Sequence, residues 1–119
     1  MIKVNVIESK RPTGTGRIST TKCFEITIDG HASEYHSADG NIVCAAVSAL
    51  TFNMVSSIDI LTGAKVHMDK KDEGGYMYVN ISHLSEYANI LIDSWLLGIR
   101  QIADKYGCIE IVQKTKYAC

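Results

Sequence analysis

From Asn41 to Leu61 the chain runs without a glycine or proline and with a single charged side chain, Asp59. This stretch reads as a helix, and the rest of the fold must supply what its apolar face packs against. The spacing predicts a helix over 41–61, with Val43, Val47, Leu50, Met54, Ile58 and Leu61 on one face at helical intervals. Asp39 and Asn41 are both suitable caps; with Asn41 as the N-cap, Cys44 falls at N3, in the first turn. Ala45, Ala46 and Ala49 keep the opening turns slim, and Ser48 lies one turn below Cys44 on the same face. Thr62-Gly63-Ala64 closes the helix.

What surrounds this helix alternates with a period of two. Ile2, Val4 and Val6 alternate with Lys3 and Asn5, and Phe24, Ile26 and Ile28 with Glu25, Thr27 and Asp29. These are half-buried strands joined as a hairpin by the turn around Arg11-Pro12-Thr13-Gly14-Thr15-Gly16, which holds the only proline. Lys65 to Met68 and Tyr76 to Ile81 form a second pair, joined by a polar turn from Asp69 to Gly75. A second helix, Ser85 to Tyr106, carries Leu84, Ala88, Leu91, Trp95, Ile99 and Ile102 on one face and stops at Gly107. Cys108 to Val112 is a last strand. The order β-β-α-β-β-α-β predicts an α+β fold, a mostly antiparallel sheet of about five strands covered on one face by two helices. Residues 1–119 are read as one domain, long enough to bury about two thirds of its unfolded surface. Phe52, Ile60, Leu96 and Leu97 lie off the main stripes, an apolar excess that a homodimer would use.

The net charge of -1 gives no global field for nucleic acid. The basic group Lys10, Arg11, Arg17 and Lys22, and Lys114 with Lys116, read as solvated faces, so no direct nucleic-acid partner is expected. No C-x-x-C pair occurs among Cys23, Cys44, Cys108 and Cys119, which gives no disulfide framework. The N-terminus alternates like a strand and lacks a signal peptide's apolar core, and no run of about eighteen apolar residues is expected to span a membrane. The expectation is a cytoplasmic protein without a membrane partner.

Chemistry concentrates between the second strand and the first helix. Gly30 ends the strand, His31 stands at the sheet end, and Cys44 lies in the first turn of the helix. A thiol near a helix N-terminus has its thiolate stabilised, an imidazole can pair with it, and free backbone N–H groups there can hold an oxyanion. Between them Ser33, Glu34, Tyr35, His36, Ser37, Asp39 and Gly40 form a polar loop without apolar periodicity. It is expected to be mobile from Ala32 to Gly40 and to close over a bound peptide. The bland alternatives are a buried cysteine acting as a small apolar side chain and a surface histidine. A zinc ion is the chemical rival, through His31, His36, Cys44 and Asp39, but these separations fit no familiar zinc pattern, so neither metal nor cofactor is expected. Glu34 and Asp39 are not singled out as paired acids, and His67 and His83 show no neighbouring ligand pattern.

Gly30-His31-Ala32 followed by Ile42-Val43-Cys44-Ala45-Ala46-Val47-Ser48-Ala49 resembles the signature of the ribosomal-processing cysteine proteases, the Prp family. The likeness extends to length, element order and the His-to-Cys interval. It implies a cysteine endopeptidase with His31 and Cys44 as its catalytic dyad and a homodimeric α+β fold; Ser48, one turn below Cys44, and Asn41, the cap, are read from their positions as supporting residues. The implied substrate is a ribosomal protein precursor, the large-subunit ribosomal protein twenty-seven, from which a short N-terminal extension is removed. One departure stands out. The family's usual order is Gly, any residue, Asp, Ile, Val, Cys, whereas this chain reads Asp39-Gly40-Asn41-Ile42-Val43-Cys44. Asparagine caps a helix about as well as aspartate but carries no charge; Asp39 is the nearby residue that can supply one. The competing readings are a non-catalytic homodimer that binds a peptide in the same groove or serves ribosome assembly, and a structural domain with a redox-sensitive thiol.

Overall fold

The computed structural model describes residues 1–12, 19–30, 37–71 and 75–117. Its elements follow the expected order: β1 (Ile2–Pro12), β2 (Ser19–Gly30), α1 (Ser37–Leu61), β3 (Lys65–Lys71), β4 (Tyr76–Ser82), α2 (Glu86–Tyr106) and β5 (Ile109–Tyr117). The five strands form one sheet in the order β3-β4-β2-β1-β5. Every neighbouring pair is antiparallel except β1 and β5, which run parallel, so the sheet is mixed and mostly antiparallel.

Alternation decides which side of the sheet is covered. Val4 pairs with Ile28, Val6 with Ile26, Ile26 with Val79 and Phe24 with Ile81, so apolar side chains form continuous rows on one face. Val43, Val47, Met54 and Ile58 of α1 and Ala88, Ile92, Trp95 and Ile99 of α2 join the same core. The strands run further than the apolar alternation that revealed them. β1 and β2 continue as a ladder from Glu8↔Phe24 out to Pro12↔Ser19, with a bulge where the register shifts between Ser9 and Lys10. Likewise β5 pairs with β1 as far as Lys10↔Tyr117. These polar extensions persist because each residue that leaves the ladder gives up backbone hydrogen bonds to its neighbour strand. The connecting residues 13–18 of the expected first turn lie outside the described residues.

The ends of α2 follow from its sequence. Ser85 Oγ accepts a hydrogen bond from the Ala88 N–H (3.3 Å), and Gly107, at φ 70°, donates its N–H to the Ala103 carbonyl (2.7 Å). At the end of α1, Thr62 turns the chain, its Oγ1 donating to the Ile58 carbonyl (2.7 Å) and accepting from the Ala64 N–H (3.1 Å).

Three expectations for the helices need correction. Leu61, expected on the packed face of α1, is 73% exposed at the end of the helix. Ile42–Leu61, at a mean hydropathy of 1.5, is long and apolar enough to cross a membrane, contrary to expectation. The same composition suits a core helix, and Val43, Val47, Thr51, Met54 and Ile58 are packed in this one. Thirdly, α1 begins at Ser37, four residues before the expected Asn41 cap.

One polar group lies wholly inside this core. Thr51 is 0% exposed; its Oγ1 donates to the Val47 carbonyl (2.7 Å) and accepts from the indole N–H of Trp95 (3.0 Å), tying α1 to α2. Thr51→Val keeps the side-chain shape and helix propensity but leaves the buried indole N–H without a partner. We expect a loss of about 1–3 kcal/mol in urea unfolding, and Thr51→Ser, which keeps the hydroxyl, should lose less. A valine variant as stable as the parent would show that the bond contributes nothing net.

Candidate active site

At the C-terminal end of β2 the chain meets the start of β4 and the end of β3, because β2 and β4 pair from Cys23↔Ser82 through Asp29↔Tyr76 and β3 pairs with β4 through Lys71↔Tyr76. The N-terminal half of α1 lies over this corner. Between them is a cleft of about 190 Å³. Cys44, Val47, Ser48 and Thr51 of α1 form one wall, and Ile2, Ile28 and Met77 the apolar floor. Gly30, Gly75, Tyr76, Lys70 and Lys71 complete the lining. Cys44 and Ser48 therefore share the cleft as their one-turn spacing predicted, with Cys44 half-buried and packed on the core. Cys23 and Cys108 do not line this cleft.

Gly30 is built into the corner. Its φ is +106°, its N–H donates to the Gly75 carbonyl (3.2 Å), and a Cβ there would stand 2.3 Å from the Met1 carbonyl oxygen. The residue must be glycine for β1 and β2 to approach this closely and for the chain to leave the sheet.

His31 follows directly in sequence but lies outside the described residues, as do Ala32, Ser33, Glu34, Tyr35 and His36. Of the loop expected from Ala32 to Gly40, the described part, Ser37, Ala38, Asp39 and Gly40, is helical. The earlier helix start also overturns the expected place of Cys44. Asn41 is inside α1 rather than at its cap, and Cys44 lies about two turns, or ~10 Å, from the first helical residue. The free N–H groups and the positive dipole end belong to that first turn, so neither the helix dipole nor an oxyanion cradle of helix-start N–H groups acts at Cys44. Asp39 and Gly40 gave the misleading signal. Their propensity cost is at most about 1 kcal/mol each, which propagation from an established helix overrides.

Sequence reasoning missed Lys70, Lys71, Gly75 and Tyr76 as site residues, placing the first three in the polar turn from Asp69 to Gly75 and Tyr76 at the start of the next strand, whereas β3 runs on to Lys71. Their place depends on β4 pairing with β2, and no local pattern carries that. Of the other histidines, His67 is exposed and pairs with Asp69 (3.1 Å), and His83, at φ 57°, contacts Ser82 (3.2 Å); neither lines the cleft. Among the described residues no three His, Cys, Asp or Glu side chains converge as a metal site would need, and the His31 and His36 part of the zinc alternative lies outside them.

The family model of the cysteine protease Prp matches residues 1–109. The chain belongs to the Prp cysteine protease family. As a member it is a peptidase, and the family that the sequence resembles is the family of the match. Similar curated proteins include the ribosomal processing cysteine protease Prp of Bacillus subtilis, 30% identical over 89 residues, covering 70% of this chain and 76% of the relative. The Staphylococcus aureus Prp protein is 29% identical over 88 residues, covering 72% and 81%. Among solved structures, S. aureus Prp with a covalently linked product peptide superposes with a TM-score of 0.68 at 22% identity, over 92% of this chain and 99% of that one. A Streptococcus mutans protein gives a TM-score of 0.65 at 28% identity, over 99% and 96%.

Proposed function

We propose that this Prp-family peptidase is an endopeptidase that removes the N-terminal extension of large-subunit ribosomal protein twenty-seven, with Cys44 as nucleophile and His31 as its acid–base partner. The observation that carries the reading is the cleft itself: Cys44 lines it, and so does Gly30, whose chain neighbour is His31. The curated relatives are ribosomal processing proteases, and one S. aureus Prp structure holds a substrate peptide, which supports a ribosomal precursor here.

In this mechanism the Cys44 thiolate attacks the scissile carbonyl and forms a C–S bond, while His31 holds the thiol proton. The tetrahedral intermediate collapses with loss of the C–N bond, and the imidazolium gives its proton to the leaving amine. Water, deprotonated by His31, then attacks the thioester, releasing the peptide as a carboxylic acid and restoring the thiol. Ser48, a turn below Cys44 and in the same cleft, and Asn41 support the helix segment that carries the nucleophile. The reading is of a cytoplasmic homodimer, without nucleic acid or membrane. The exposed Ile42, Ile60 and Leu61 of α1 and Tyr87, Ile90 and Leu97 of α2 support a dimer, since they offer apolar surface to a second copy.

The test is to incubate the protein with the extended ribosomal protein of the same organism and weigh the products. A single cut that frees the extension is expected, and binding without turnover would leave only a peptide-binding role. His31→Ala should lower single-turnover rates by on the order of a hundredfold or more, and His36→Ala far less. The reverse ranking would assign the wrong base.

A further inference from the structure

Lys70 and Lys71 both line the described part of the cleft, which holds no carboxylate; Lys70 shares the sheet face of its register partner Met77, and Lys71 with Tyr76 lies on the other face, at the strand end where the cleft opens. In a chain whose net charge is -1 this is a local inversion of sign. Both side chains are exposed, and each has an aromatic ring beside it. Lys70 Nζ lies 5.1 Å from the ring centroid of Phe52, on the helix that carries Cys44, and Lys71 Nζ lies 5.5 Å from that of Tyr76, itself a cleft residue. A cation over an aromatic face keeps its charge. Neither lysine has an ion pair among the described residues.

We propose that Lys70 and Lys71 are specificity residues that bind a carboxylate of the peptide held in the Cys44 cleft, while Ile2, Ile28 and Met77 receive an apolar part of the same peptide. The inference rests on the proposed peptidase reading and adds to it the charge of the substrate or product. One carboxylate chemistry has two sources here. It is an acidic side chain near the scissile bond, or the new C-terminal carboxylate that hydrolysis of the thioester creates. Two partly solvated ion pairs contribute up to ~1 kcal/mol each, which sets the expected preference at roughly five- to tenfold.

Binding to the Cys44→Ala protein tests this apart from turnover. The first arm measures Kd for the released extension peptide ending in a free carboxylate and in a carboxamide. The second compares peptides spanning the cut with Glu or Gln at each position next to it. We expect a roughly five- to tenfold preference for the charged form in one arm, reduced at higher salt and falling below about twofold when Lys70→Gln and Lys71→Gln are added. Equal thermal midpoints would show that the added changes leave the fold intact. Any offset from Asp72 and Glu73, which follow in sequence outside the described residues, is contained in the value before the lysines are changed. An equal preference with and without the lysines, no preference in either arm, or no binding by any peptide would overturn the proposal. Failure of the precursor to be cleaved, with the carboxylate preference intact, would count against the proposed substrate and leave the lysines' role standing.

Discussion

Cys44→Ala protein should leave the extended ribosomal protein uncut, with a rate loss on the order of 10⁴-fold or more, because in the proposed mechanism the Cys44 thiolate forms the acyl intermediate. The fold should survive. Cys44 is half-buried on the rim of a cleft rather than enclosed in the core, and alanine, already present at positions 45, 46 and 49 of the same helix, keeps the helix propensity high. A stability change of about 1 kcal/mol or less is expected in urea unfolding. The two remaining described thiols give an internal control. Cys23 sits on β2 and Cys108 just before β5, neither in the cleft, so Cys23→Ala should keep full turnover. Single-turnover cleavage followed by mass spectrometry decides it: cleavage by folded Cys44→Ala protein within tenfold of the parent would remove the thiol from the mechanism.

The parts of this fold that were legible in the sequence are those where one local rule acts alone. Alternation of Ile2, Val4, Val6 and of Phe24, Ile26, Ile28 marks two strands because only one face of the sheet is buried. Ser85 and Gly107 bound α2 closely because capping is a matter of a few consecutive residues. Where two rules conflict, the local one lost. Asp39 and Gly40 argue against helix, yet α1 extends through them to Ser37, and the supposed first-turn position of Cys44 went with that boundary. Lys114 to Tyr117 carry no apolar alternation, yet they continue β5 because β1 supplies a partner strand.

The site was legible to the extent that its chemistry is contiguous. Cys44 and Ser48 share a helix face, and Gly30 marks the sheet end, so their common cleft follows from spacing. Lys70, Lys71 and Tyr76 could not be found this way. They reach the cleft through the β2–β4 pairing, a contact between segments far apart in the chain, and the hairpin pattern that identified β3 and β4 is silent about which strand lies beside them. The parallel β1–β5 pair is hidden for the same reason: first and last strands meet only once both helices are placed.

Gly30→Ala should be among the most damaging single-methyl additions in the chain. At φ +106° an L side chain is strained, at a cost of about 1–3 kcal/mol. The added Cβ would also stand 2.3 Å from the Met1 carbonyl oxygen and 3.3 Å from its carbon. That neighbour is backbone, fixed by the Ile2↔Gly30 pairing and by the Ile2 N–H donating to the Cys108 carbonyl (2.9 Å), so it cannot rotate aside as a side chain would. Relief requires β1 to move from β2, or Gly30 to give up its hydrogen bond to Gly75 at the cleft mouth. Overpacking of this kind adds a further ~1–3 kcal/mol. A thermal midpoint lower by roughly ten degrees is expected. Gly63→Ala is the control, since nothing stands within 4 Å of a Cβ there. It removes the same backbone freedom from the unfolded chain and should be neutral or mildly stabilising. Turnover tests the link to function. The displaced backbone is the one that leads into His31, so the folded fraction of Gly30→Ala should also cleave at least tenfold more slowly, because small misplacements of an acid–base group cost rate steeply. Equal midpoints for the two alanine variants would mean that the corner yields easily. Full activity in a destabilised Gly30→Ala protein would show that the base is positioned from elsewhere than the end of β2.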